Sequence, residues 1–130
     1  MILKVEYEKI GKDVVDAAFH VHREMGPGLL ESIYEICMVE ELRSRNLLVE
    51  RQVQFPLVYK GKELKKVFTI DLLVERKIVV ELKAVEELHP IHEVQLVSYM
   101  KLTDIKLGYL INFNVPLIKN GIKRKINGYF

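Results

Sequence analysis

Val67-Phe68-Thr69-Ile70-Asp71-Leu72-Leu73-Val74-Glu75-Arg76-Lys77-Ile78-Val79-Val80-Glu81-Leu82-Lys83-Ala84-Val85 reads as two strands and the turn between them. Residues 67–74 and 78–85 are apolar runs separated by the polar triplet Glu75-Arg76-Lys77, the pattern of a hairpin. Strands this apolar have both faces covered, so they belong at the centre of a sheet. Asp71, Glu81 and Lys83 interrupt them. A buried carboxylate costs several kcal/mol (about 3–5) unless it is paired or holds a metal. A solvent-facing salt bridge would use the same residue types, but the apolar setting argues against it.

Side chains alternate along a strand, so Glu81 and Lys83 share a face. Whether Asp71 joins them depends on the register. A three-residue loop pairs Val74 with Ile78 and sets Asp71 opposite Glu81. A two-residue loop pairs Asp71 with Leu82 and puts Glu81 and Lys83 behind the sheet. In the first register the facing Cβ atoms stand about 5 Å apart. Magnesium–oxygen bonds are about 2.1 Å, so two such carboxylates can share one ion.

Outward from the hairpin, the helical period predicts a first helix over about residues 7–24, with Val14, Ala17, Ala18, Val21 and Met25 recurring at helical spacing and Gly11 as a weak point. Gly26 and Pro27 end it. A second helix is expected over about 29–45, with Leu30, Ile33, Cys37 and Leu42 as its buried stripe and Asn46 as its stop. Val49, Arg51, Val53 and Phe55 then alternate with Glu50, Gln52 and Gln54. Pro56 suggests an edge or bulge, and Tyr59-Lys60-Gly61-Lys62 a turn. A third helix follows Pro90, carries Ile91, Val94, Gln95, Val97, Ser98, Tyr99 and Leu102, and fades near Thr103. Strands are expected over 106–113 and 122–126. The predicted architecture is one α/β domain over residues 1–130, a mixed central sheet with helices on both sides.

The bulk properties permit this reading without demanding it. Apolar residues make up 49% of the chain, enough for one core, and the formal net charge of +2 does not by itself argue for nucleic acid. The single cysteine, Cys37, excludes an intrachain disulfide and a cysteine-rich zinc site, and reads as a core residue. No run is long and apolar enough for a membrane span or a signal peptide. A cytoplasmic protein is expected.

Asp71 with Glu81-x-Lys83 resembles the signature of the PD-(D/E)xK nuclease superfamily. Gly28-Leu29-Leu30-Glu31-Ser32-Ile33-Tyr34 is similar to the motif of the GxxExxY protein family, and Gln95-x-x-x-Tyr99 resembles the glutamine–tyrosine motif on the helix after the catalytic hairpin. The likeness extends through Asn112-Phe113-Asn114-Val115-Pro116-Leu117. Ile70 stands where the signature has proline, a variable position in the superfamily. The resemblance implies a restriction-endonuclease-like fold and phosphodiester hydrolysis with Mg2+ or Mn2+, most often in DNA. It implies Asp71 and Glu81 as metal ligands, Lys83 as catalytic lysine, Glu31 as supporting carboxylate, and Gln95 and Tyr99 lining the site. Glu31 and Tyr34 are three apart and Gln95 and Tyr99 four apart, so each pair shares a helix face. Core packing with a satisfied hydroxyl is the alternative for both tyrosines.

Other signals are weaker. His89-Pro90-Ile91-His92 lacks a third ligand for zinc. His20 and His22 cannot share a helix face. Lys119, Lys123, Arg124 and Lys125 suit either phosphate contact or a solvated edge strand. Competing functions are a non-catalytic nucleic-acid- or protein-binding module of the same fold, and a homodimeric nuclease acting on branched DNA. A chain this short is expected to lack a separate specificity domain, so that it would cut with little preference or be targeted by a partner or dimer mate.

Overall fold

The computed structural model describes residues 4–128. The elements run α1 (Lys4–Met25), α2 (Glu31–Ser44), β1 (Val49–Tyr59), β2 (Lys62–Val74), β3 (Ile78–Lys83), α3 (Pro90–Thr103), β4 (Leu107–Asn112), a 3-10 turn (Ile118–Gly121) and β5 (Ile122–Ile126). The strands form one sheet in the order β1-β2-β3-β4-β5. Only β3 and β4 are parallel; the other neighbours are antiparallel. A parallel pair needs a crossover, and α3 supplies it.

The sheet has a core on each face. Leu72, Val74, Ile78, Val80, Leu82, Leu107, Tyr109 and Ile111 pack with α1 and α2. Ile70, Leu73, Val79 and Leu110 pack with Leu96 and Met100 of α3. This is the expected α/β architecture, a mixed sheet flanked by helices in the restriction-endonuclease-like arrangement.

Local chemistry explains the element ends. Gly26 adopts φ +69° and its N–H closes on His22 O at 2.8 Å, ending α1. Lys60 and Gly61 both have positive φ, the two-residue hairpin turn that matches strand twist. Gly11 costs α1 helix propensity, yet a Cβ there would collide with the Tyr109 hydroxyl, so the glycine permits the close approach of α1 to β4.

The apolar stripe of α2 differs from expectation. In α2 the buried residues are Tyr34, Glu35, Met38, Val39 and Leu42, while Leu30 is 71% exposed and Ile33 and Cys37 are half-buried. Tyr34 sets the rotation by stacking on Phe113, with ring centroids 4.5 Å apart. In α3 the buried face is Leu96 and Met100, and Ile91, Val94 and Leu102 are exposed. Helices with so many apolar residues have no unique stripe, so the neighbouring layer selects the face.

Candidate active site

Glu75-Arg76-Lys77 is the loop of the β2–β3 hairpin, with Glu75 and Arg76 both at φ +53° and Lys77 N–H bonded to Val74 O at 2.9 Å. Val74 pairs with Ile78, Leu73 with Val79 and Leu72 with Val80. The next pair in this register is Asp71 with Glu81, and there the carboxylates replace the backbone ladder. Asp71 N–H donates to Glu81 Oε2 at 2.8 Å, and Leu82 N–H donates to Asp71 Oδ2 at 2.8 Å. Each side chain thus stands in for a backbone carbonyl of its own strand, and the strands part at this layer.

The parting continues into β1. Ile70 and Leu72 are two residues apart but pack in opposite cores. Likewise Arg51 reaches Glu35 of α2, whereas Val53 packs on the α3 side. The expected alternation of Val49, Arg51, Val53 and Phe55 on one face therefore breaks at Gln52, which has φ +50° and stands opposite Asp71 between the paired residues. A left-handed non-glycine residue re-aims the chain, as a bulge does. The Gln52 amide donates to Glu35 Oε1 and, at 3.4 Å, to Asp71 Oδ1. Glu35 is 6% exposed, and its Oε2 accepts from Arg51 Nη2 at 2.7 Å and Nε at 3.2 Å.

Glu81 is 5% exposed, and burial pushes its carboxyl up to about 8, with the Asp71 charge adding to the rise. The Asp71 N–H and Lys83 oppose this, while Glu31 reinforces it. Burial also raises Asp71, against the Leu82 N–H, Lys83 and Gln52. Burial raises Glu31, with Lys83 lowering it and Asp71 and Glu35 raising it. Glu31, Asp71, Glu81 and Lys83 therefore feel one another's charge. Burial is the largest cause of each rise, and repulsion from neighbouring carboxylates adds to it.

The donor set fits a hard divalent cation. Among the described residues, no three His, Cys, Asp or Glu groups are arranged to cage an ion. Mg2+ does not require a cage: it is held by one or two carboxylates, with waters and substrate phosphate oxygens completing its shell. Asp71 and Glu81 are an adjacent pair of carboxylates of the kind such an ion uses.

The remaining residues divide. Tyr99 is half-buried on α3, stacks on Phe68 with centroids 5.1 Å apart, and is raised by burial and then by Glu81 and Asp71. It borders the site. Gln95 lies one turn earlier, exposed, and its side chain makes no hydrogen bond among the described residues. Tyr34 is fully buried; its hydroxyl donates to Gly26 O at 2.6 Å and accepts from Leu29 N–H at 3.1 Å. It clamps the α1–α2 turn. His89 Nδ1 accepts from Ile91 N–H and His92 Nδ1 from His89 N–H, which commits both imidazoles to capping α3.

Of the basic cluster, Lys125 pairs with Glu93 and Arg124 with Glu8. Lys119 and Lys123 are exposed. The groove of about 480 Å3 between α1 and α2 contains none of the site residues.

Sequence reading missed Glu35, Arg51 and Gln52. Glu35 follows Glu31 by four, and a like-charged pair on one helix face is unfavourable in isolation, a usable signal. Gln52 offered none, because its role depends on a backbone conformation that glutamine rarely adopts.

The family model of the PD-(D/E)XK nuclease superfamily matches residues 8–125. No curated protein and no solved structure matches the chain.

Proposed function

The chain belongs to the PD-(D/E)XK nuclease superfamily, and from that premise we propose that it hydrolyses phosphodiester bonds in DNA with Mg2+ or Mn2+. Members of this superfamily generally use divalent metals. The observation that carries the reading is the reciprocal pair of hydrogen bonds that turns the Asp71 and Glu81 carboxylates into the gap between β2 and β3, one residue ahead of Lys83's strand neighbour Leu82.

In this reading Asp71 and Glu81 hold the cation, which when bound acidifies a water and offsets phosphate charge. The Leu82 N–H fixes the Asp71 carboxylate and the Asp71 N–H fixes that of Glu81. The Lys83 ammonium orients the attacking water and stabilises charge on the pentacovalent phosphate. A water oxygen–phosphorus bond forms, an ester phosphorus–oxygen bond breaks, and the departing oxygen takes up a proton. Glu31 supports Lys83 electrostatically, and Gln95 and Tyr99 border the substrate from α3. Gly28, Glu31 and Tyr34 support placement in the GxxExxY branch, since Gly28 has φ +95° and Tyr34 secures the turn around it.

Among the described residues no helix is long and apolar enough to cross a membrane. A cytoplasmic location accords with this and with the single cysteine, Cys37.

The test is cleavage of linear, nicked, single-stranded and branched DNA with manganese. Wild type should cut at least one, and Asp71→Ala none. Magnesium should raise the melting temperature of wild type and leave Asp71→Ala unchanged, by linkage. An equal rise in both would place the ion elsewhere. Cleavage of none of the substrates by wild type would leave a binding module of the same fold.

A further inference from the structure

The β1–β2 hairpin runs past the rest of the sheet. The β2–β3 pairing reaches only Leu72, and the α3-side core reaches outward only to Phe55 and Phe68. Beyond those two rings, residues 56–67 form a two-stranded ribbon in which every residue except the half-buried Leu57 is exposed.

Its composition is unlike that of the rest of the chain. The ribbon has Lys60, Lys62, Lys65 and Lys66 against Glu63 alone, an excess of three positive charges. The whole chain carries +2, so the remainder is net acidic. Among the described residues none of these four ammoniums forms an ion pair; Lys60 lies over the Tyr59 ring, 5.5 Å from its centroid. Between the pairs Val58–Glu63 and Pro56–Val67, one residue of β1 faces three of β2. That bulge displays Lys65 and Lys66. Bulges twist a ribbon more strongly than regular pairing does.

We propose that this ribbon is a docking element for B-form duplex DNA, an inference that rests on the nuclease reading of Asp71, Glu81 and Lys83. Unpaired lysines on a projecting surface are the sequence-independent contacts that phosphates reward through counterion release. A two-stranded ribbon fits the B-form major groove, about 12 Å wide, whereas the major groove of an A-form duplex is too narrow and deep to admit side chains. Lys66 is five strand positions from Asp71, or about 17 Å at about 3.4 Å per residue. DNA rises about 3.4 Å per nucleotide, so a ribbon contact and the cut phosphate would lie about five nucleotides apart. The acidic site repels DNA until a cation is bound, and the ribbon supplies attraction the site itself lacks.

The experiment is fluorescence anisotropy of a labelled duplex with the full-length protein in EDTA, which separates docking from cleavage. Combined Lys62→Gln, Lys65→Gln and Lys66→Gln should weaken binding by about tenfold or more at physiological salt. The slope of log affinity against log salt should drop by roughly 2–3. Combined Lys119→Gln and Lys123→Gln, at the far edge of the sheet, should leave both near wild type. An A-form RNA duplex of the same sequence should bind more weakly than the DNA.

Equal binding by wild type and ribbon variant would overturn the proposal and leave the lysines as guards against edge pairing. So would an equal loss in the far-edge variant, equal affinity for the RNA duplex, or a wild-type dimer in sedimentation that the ribbon variant dissolves. Should the ribbon variant not fold, lysine acylation of wild type decides. Duplex DNA should shield Lys62, Lys65 and Lys66 but not Lys119 or Lys123, and the reverse would overturn the proposal. Ribbon-dependent binding without any cleavage in manganese would uphold the docking and sink the nuclease reading.

Discussion

Lys83 has an ammonium, which cannot ligate a cation, so its value lies in the reaction rather than in metal binding. It sits half-buried at the end of β3, within the field of Glu31, Asp71 and Glu81. Lys83→Ala should therefore keep the magnesium-induced rise in melting temperature while cleavage falls by a factor of about a hundred or more. Turnover equal to wild type would remove Lys83 from its assigned role. Glu81 makes a different prediction. Its carboxyl has an ordinary value of 4.5 and stands at about 8 in the folded protein. The folded state therefore holds a proton that the unfolded chain releases, so stability present below about pH 4.5 is lost as the pH rises through about 8. Asp71 and Glu31, also raised, act in the same direction. Thermal melts of metal-free protein should decline across that window, and Glu81→Gln should flatten the decline. A wild-type melting temperature that climbs across it would contradict the burial of an ionisable Glu81.

At the scale of elements, the end of β3 is held by its neighbours. Phe113 N–H donates to Lys83 O at 2.9 Å. Asn112, buried, grips Val85 with Val85 N–H to Oδ1 at 3.0 Å and Nδ2–H to Val85 O at 2.9 Å. The side-chain amide continues the ladder one step past Lys83. The 3-10 turn closes against the same place, for a Cβ on Gly121 would collide with the Asn112 carbonyl oxygen. Backbone cannot swing aside as a side-chain tip can. Gly121→Ala should therefore cost about 1–3 kcal/mol in urea denaturation. It should also lower cleavage more than that stability loss explains, because Asn112 and Lys83 pair across β4 and β3. A neutral substitution would mean that the turn can move away without disturbing the strand.

At the scale of the molecule, one sheet is shared by two cores, so neither helical layer can be removed without exposing the strands' other face. We propose that the chain unfolds as one domain. Far-ultraviolet circular dichroism and tyrosine fluorescence should give coincident urea transitions. Two separated transitions would split the α1–α2 layer from the α3 layer.

The sequence by itself determined the order of elements, the α/β class and the β2–β3 hairpin. These follow from side-chain period and turn chemistry, which are local. The choice between the hairpin's two registers, and with it the placing of Asp71 opposite Glu81, came from the structure. Only the tertiary structure decided which stripe of α2 is buried, because Ile33 and Cys37 compete with Tyr34 and Met38 for that role and Tyr34 reaches Phe113. Only it could show that β1 and β2 change faces at Gln52 and Asp71. That shift needs Gln52 in a left-handed conformation, held by Glu35 across a gap of 17 residues in the chain. A contact between residues so far apart leaves no periodic trace in sequence, since its energy comes from packing and charge pairing that exist only once the helices close over the sheet.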